Sequence, residues 1–379
     1  MPRRSQPSPV SFGVHIYIHV PFCARRCSYC DFAIAVRRAT PDAAFVDAIE
    51  REWLGHGTHT NPVVPVATLY FGGGTPSRLE PASIKRLVDM IAAKCRIAPD
   101  AEITLETNPD DVTPERAVAW AAAGINRVSL GVQSHDAEVL AWMHRTHRVE
   151  QVAPAVDALR AAGITNISVD LIFALPVELD RDWRRDLDLT FALEPTHLSL
   201  YGLTIEPHTP LFHWTERGSA ITVPDERYAD EYLQAHAVMT AGGFEHYEVS
   251  NAGLPGFRAR HNSAYWHGVD YVGLGPSAHS FAGGVRRWNV REWADYQARS
   301  ARGESLIAGS ESLDADARAL ERRYLGLRTA DGLAAAELPS EVREAWRGAG
   351  WATSVGDRVQ LTVEGWLRLD ALVAAARHS

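Results

Sequence analysis

Six short runs of apolar and β-branched residues recur through the first two thirds of the chain, separated by longer stretches with helical spacing. The runs are GVHIYIHV (13–20), VATLYFGG (66–73), EITLETN (102–108), NRVSLGVQ (126–133), NISVDLIFALP (166–176) and HLSLYGL (197–203). Several intervening stretches open on Pro beside an acidic or small polar residue (TPDAAFVDAIEREW, EPASIKRLVDMIAAKC, TPERAVAWAAAG). Gly124 and Gly163 close two of them, completing the start-and-stop chemistry of helices. Strand–helix units in series pair in parallel through crossover helices. A complete eight-unit barrel takes about 250 residues, and six units in about 230 predict an α/β fold of the incomplete (β/α)6 TIM-like barrel kind. A doubly wound sheet is the competing geometry. Chemistry in such barrels gathers at the C-terminal strand ends. The distinctive residues fall there: cysteines after the first run, glycines after the second, Glu106 after the third, Gln133 after the fourth.

Beyond about residue 205 the pattern turns irregular and rich in Pro, His and aromatics. Residues 310–379 read as helices (DADARALERRYLGL, SEVREAWRGAG) followed by a short strand pair around ATSVGDRVQLTVEGW, a small winged-helix-like appendix. The predicted division is a disordered N-terminus (1–13), a partial barrel (14–250), a connecting segment carrying HNSAYW (251–309) and the C-terminal winged-helix-like domain (310–379).

With 379 residues, 46% hydrophobic and 22% charged, the chain has the composition of a soluble globular protein. Its net charge of −9 gives no global basic field to collect nucleic acid, and short runs such as Arg25-Arg26, Arg37-Arg38 and Arg286-Arg287 read as solvated surface. The opening MPRRSQPSPVSFG has no apolar region behind its arginines, and no run approaches a membrane span. A monomer or homodimer in a reducing cytoplasm is expected.

The stretch FCARRCSYCDF (22–32) sets Cys23, Cys27 and Cys30 at x3 and x2 spacing. Structural zinc sites close on four ligands, usually in two pairs, and no second pair exists here; His19 or Asp31 would have to complete one. A cubane iron–sulfur cluster on three thiolates instead leaves one iron open. Cys95, in MIAAKCRI, sits on an apolar helical pattern and reads as a small buried hydrophobe. The glycines of YFGGGTPS (70–77) permit close approach of backbone to a ligand, or simply a tight turn. Glu106 and Asp170 offer acceptors for hydroxyls or an ammonium, Arg145 a fork for a carboxylate, and Gln133 both donor and acceptor.

The cysteine spacing after a first strand resembles the radical S-adenosylmethionine superfamily. The ordered set YIHVPFCARRCSYCDF, YFGGGTPS, LETNP, SLGVQS, HRTHR and SVDLIFALP resembles its branch of oxygen-independent coproporphyrinogen III oxidases and HemW-type haem chaperones, over roughly residues 14 to 379. The resemblance implies a [4Fe–4S] cluster on Cys23, Cys27 and Cys30, its open iron chelated by S-adenosylmethionine. It also implies a cofactor site of Tyr17, Tyr29, Gly73, Gly74, Thr75, Glu106, Gln133, Arg145 and Asp170.

Within the branch, one class decarboxylates porphyrinogen propionates in porphyrin biosynthesis and the other carries haem to acceptor proteins. The oxidases place a further cysteine two positions after the cluster's third, where this chain has Phe32, and have a longer segment before the position of Tyr17. RHNSAYWHG (260–268) matches the HNxxYW motif associated with haem binding in the chaperones, which implies His261, Tyr265 and Trp266 as haem-binding residues. A His beside aromatics offers an axial nitrogen and flat faces for a macrocycle; a packed loop is the plain alternative. The expectation is a haem chaperone with haem as cargo and an acceptor protein as partner, and the oxidase is the alternative.

Overall fold

The computed structural model describes residues 13–55 and 64–376, so residues 1–12 of the predicted disordered N-terminus lie outside the described residues. The six runs form strands β1 (Val14–Val20), β2 (Val66–Gly73), β3 (Ile97–Thr107), β4 (Arg127–Gln133), β5 (Asn166–Phe173) and β6 (His197–Gly202). They pair in parallel and in sequence order, with Tyr17 opposite Tyr70 and Tyr70 opposite Thr104. β3 begins five residues before the apolar run that predicts it, through Ala98-Pro99-Asp100.

The crossovers carry α1 (Asp42–Gly55), α2 (Pro81–Lys94), α3 (Pro114–Ala122), α4 (Ala137–Trp142), α5 (Val152–Ala161) and α6 (Trp183–Ala192). Pro opens α2 and α3, and the Thr113 hydroxyl accepts from Arg116 N, satisfying an orphan amide of the first turn of α3. The helices bury Phe45, Trp53, Leu87 and Trp120 against Ile16, Ile18, Leu69 and Leu105 of the sheet. Each such side chain contributes roughly 1.5–3 kcal/mol through burial. After β6 come α7 (Pro210–Glu216) and α8 (Asp225–Ala241).

The sheet extends at both sides. β7 (Glu245–Glu248) and β8 (Asn251–Gly253) add antiparallel beyond β6. After α9 (Arg260–Trp266), β9 (Tyr271–Leu274) pairs parallel with the free side of β1, setting Tyr271 opposite His15. The antiparallel strands β10 (His279–Ala282), β11 (Val285–Asn289) and β12 (Ile307–Ser312) follow. The result is a mixed, twelve-stranded sheet in the order β12-β11-β10-β9-β1-β2-β3-β4-β5-β6-β8-β7. Residues 251–309 thus build sheet on both sides of the parallel set.

The C-terminal part has a helix over Ala315–Leu327 and a three-stranded antiparallel sheet from Leu333–Ala334, Ala352–Val355 and Arg358–Leu361, with further short helices. It seats against β7, where Arg328 pairs with the buried Glu248 at 2.9 Å and Trp366 meets His246 at 4.9 Å. Among the described residues no helix is long and apolar enough to cross a membrane.

Candidate functional site

β1 runs out through Pro21 into a short parallel pairing of Phe22–Cys23 with Ala35–Val36, and the loop between them carries Cys27 and Cys30. Backbone bonds pin that loop: Ser28 N donates to Met143 O (3.2 Å), and Leu211 N donates to Ser28 O (2.9 Å). All three thiols are free, with Cys23 buried and the other two half-buried. Burial raises the Cys23 thiol and pushes Cys30 up to about 12. Thiols so disfavoured as bare thiolates ionise when a metal neutralises them. The Thr75 hydroxyl reaches Cys23 Sγ at 3.4 Å and Arg145 Nη1 reaches Cys27 Sγ at 3.6 Å. Among the described residues, no three His, Cys, Asp or Glu side chains converge as one mononuclear metal ion requires.

The thiols open into a cavity of about 400 Å³ at the C-terminal ends of the parallel strands. It is lined by Tyr29, Gly73, Gly74, Thr75, Glu106, Gln133, Arg145 and Asp170, every residue of the expected cofactor set except Tyr17. Glu106 is held from two sides, by Tyr70 OH on Oε1 (2.8 Å) and Gly73 N on Oε2 (3.0 Å). Burial, opposed by the Tyr70 bond and reinforced by Asp170, raises its carboxyl to about 7. Asp170 accepts from Ser129 (2.8 and 3.0 Å) and Ser168 (3.0 Å), and burial raises it too. A ligand bringing positive charge or hydroxyl donors supplies what these carboxylates lack. Arg145 donates to Asn108 Oδ1 (2.6 Å) and Gly131 O (2.7 Å), while its buried Nε has no partner among the described residues.

Gly73 has φ +115°, and a Cβ there would lie 2.6 Å from the His19 ring; one on Gly74 would lie 2.9 Å from Cys23 Sγ. These glycines bring backbone against the thiol loop. Gln133 (φ 68°) and His144 (φ 58°) hold the left-handed region without being glycine, the strain expected beside a ligand site.

A second cavity, of about 530 Å³, meets the first at Asp31, Phe32, Gly73 and Glu106. Tyr17 lines this one, with Tyr265 and Trp266 of HNSAYW, and Phe32 stands 60% exposed at the junction. HNSAYW is helix, α9, whose first amides bind a carboxylate: Arg260 N and His261 N each donate to Glu102 at 2.9 Å. His261 does not line the cavity. It is 1% exposed, stacked on Tyr70 at 5.0 Å, with Nδ1 bonded to Thr68 Oγ1 (2.7 Å) and Nε2 to Tyr265 OH (2.8 Å). Both ring nitrogens are committed, so in this arrangement His261 props Tyr265 and has no lone pair to give an iron.

Sequence reasoning missed much of this second wall: Tyr271, His279, Phe281, Arg286 and Arg291. Arg286 corrects the solvated-surface reading of its run, for it lines the cavity and pairs with Glu311 (2.7 Å) and Glu321. The aromatic-and-His composition of 265–281 was the available signal, but which strand carries it to β1 was not.

Residues 17–190 match the profile of the Radical SAM superfamily. The heme chaperone HemW of Synechocystis sp. is 38% identical over 358 residues, covering 92% of this chain and 86% of that protein. The heme chaperone HemW of Mycobacterium tuberculosis is also 38% identical, over 96% of this chain and 94% of its own. Among solved structures, the coproporphyrinogen III oxidase HemN of Escherichia coli, a radical SAM enzyme, superposes with a TM-score of 0.81 at 21% identity. That match covers 97% of this chain and 91% of the oxidase and establishes a shared fold.

Proposed function

Since the chain belongs to the HemW family of radical SAM proteins, we propose that it binds haem and hands it to an acceptor protein, with a [4Fe–4S] cluster on Cys23, Cys27 and Cys30 and an exchangeable S-adenosylmethionine. The observation that carries the reading is the adjacency of two chambers. The three thiols open into one, Tyr265 and Trp266 line the other, and Gly73 and Glu106 belong to both.

The first chamber suits the cluster and its ligand through its own residues. Three thiols that share a cavity without converging on a single-ion position suit a multinuclear centre. When bound, such a cluster supplies one-electron chemistry to the S-adenosylmethionine on its open iron. Around that ligand, Glu106 would take an ammonium or hydroxyl, Asp170 ribose hydroxyls, and Arg145 a carboxylate. Gly73 and Gly74 keep the approach free of side chains. The same reading carries an incomplete barrel in the parallel strands, a winged-helix-like character for residues 310–379, and a cytoplasmic location.

The second chamber offers Tyr17, Tyr265, Trp266, Tyr271 and Phe281 as flat apolar faces for a macrocycle. Phe32 argues for carriage over oxidation, because the oxidases have a cysteine there and Phe32 stands exposed at the junction of the chambers. The test is anaerobic reconstitution followed by parallel haem titration and coproporphyrinogen III turnover. A shifted Soret band saturating at a single haem per chain, without turnover, is expected. Turnover to protoporphyrinogen IX with no specific haem binding would hand the site to the oxidase.

A further inference from the structure

We propose that His279 supplies an axial nitrogen to the iron of the bound haem, an inference that rests on the haem-binding reading above. Haem iron in proteins takes its axial ligands from His, Cys, Met or Tyr side chains. Among the described residues, no Cys or Met lines the second cavity. Its histidines are His19 and His279. His19 is spent, since Nε2 bonds Ala33 O at 2.9 Å and Nδ1 bonds Tyr17 OH at 3.0 Å. His261 lies behind the wall with both nitrogens engaged. His279 is exposed, and among the described residues its ring has no hydrogen-bond partner.

The ring is also held. His279 faces Trp288 across the β10–β11 ladder, and the two rings stack at 5.8 Å with planes 27° apart. The Trp288 indole lies over the glycine opposite it on β12, filling the space that any side chain at Gly309 would take. A stacked imidazole on a paired strand loses little freedom on ligation, which favours binding at that point.

Three neighbours fit the rest of a haem. Trp266 and Phe281 line the same cavity with aromatic side chains. Arg291 lines it while bonding only the Asp31 carbonyl (2.6 Å), and it forms no ion pair among the described residues, so its charge is available to a propionate. Of the tyrosines, Tyr17 and Tyr265 spend their hydroxyls on His19 and His261. Tyr271 is therefore the competing ligand.

The experiment uses the full chain with and without its cluster, titrated with haem and followed by optical and EPR spectra, as wild type, His279→Ala, His261→Gln and Tyr271→Phe. Circular dichroism confirms that each variant is folded. For His279→Ala we expect weakening of at least about tenfold, the factor that a single modest bond makes, and a changed axial-ligand spectrum that added imidazole restores. His261→Gln should keep the wild-type band position even where affinity falls. A wild-type spectrum in His279→Ala, or loss of the band in folded His261→Gln or in Tyr271→Phe, overturns the assignment. Wild-type protein that fails to bind haem stoichiometrically overturns the haem-binding reading itself, which separates that failure from this one.

Discussion

Replacing Gly74 with Ala tests whether the glycine segment and the thiol loop are one machine. Gly74 is not in the left-handed region, so the substitution introduces no backbone strain of its own. Its effect is contact alone. The added Cβ would stand 2.8 Å from both C and O of Pro21 and 2.9 Å from Cys23 Sγ. Carbon contacts are relaxed at about 3.5–4.0 Å, so roughly 0.7 Å of separation must be found. Two of the three opposing atoms are backbone, and Gly74 N is itself tied to Val20 O at 2.8 Å. Rotamer changes cannot relieve such a clash, and overpacking of this kind costs about 1–3 kcal/mol. The movable partner is Cys23, so the cost falls on the geometry that holds the cluster and corresponds to roughly 5–150-fold in its occupancy. The assay is iron per chain after anaerobic reconstitution at limiting iron and sulfide, beside thermal unfolding of the cluster-free protein. Gly348→Ala is the control, since nothing lies within 4 Å of its new Cβ. Wild-type iron content in Gly74→Ala, with an unchanged melting temperature, would refute the reasoning.

Cys27→Ala should abolish the cluster spectrum while Cys95→Ala leaves it intact, because Cys95 is 2% exposed in the apolar core and lines no part of the thiol cavity; iron analysis and absorbance decide. Arg181→Met should cost about 3–5 kcal/mol in a denaturant titration, since it leaves Glu231 and Asp186 buried without the guanidinium they share at 2.8 and 3.4 Å. His267→Gln should lower Tm at pH 6 and leave it nearly unchanged at pH 9. The Asp331 carboxylate, 3.5 Å away, raises the imidazole, so that contribution is complete below the unfolded value near 6.5 and disappears as pH rises through the raised folded one. Asp331 itself, held at about 2 chiefly by His267, stays charged across that window, and a half-exposed pair of this kind contributes up to about 1 kcal/mol. Equal losses of Tm at both pH values would contradict this account.

The parallel half of the sheet was readable because each strand is a run bounded by helix-starting and helix-stopping residues. That order also placed Gly73, Glu106 and Gln133 at strand ends, and the cavity there follows from parallel pairing alone. The second chamber was not readable in the same way. It exists because β9, only four residues long, pairs with β1 across some 250 residues of chain. Nothing local in YVGL selects β1 over another edge, since strand partners are set by tertiary packing. Tyr17 shows the consequence: its place on β1 was right, but the face it presents belongs to the chamber that β9 completes.

His261 teaches the opposite lesson, because its position was decidable from spacing once α9 is a helix. Residues four apart lie on one face, so His261 and Tyr265 meet each other, edge to face, while Trp266, one position further, is turned away around the axis. The structure follows that arithmetic: the His261 and Tyr265 rings meet at 5.0 Å and share a hydrogen bond, whereas Trp266 carries the Arg328 guanidinium at 4.3 Å. A motif of one His and two aromatics therefore divides into a buried prop and two cavity walls. Losing the prop would also disturb haem, by freeing Tyr265, and an affinity measurement alone would mistake that for a lost iron bond. The two cases part in the spectrum, because removing a prop leaves the axial ligand in place and removing the ligand does not.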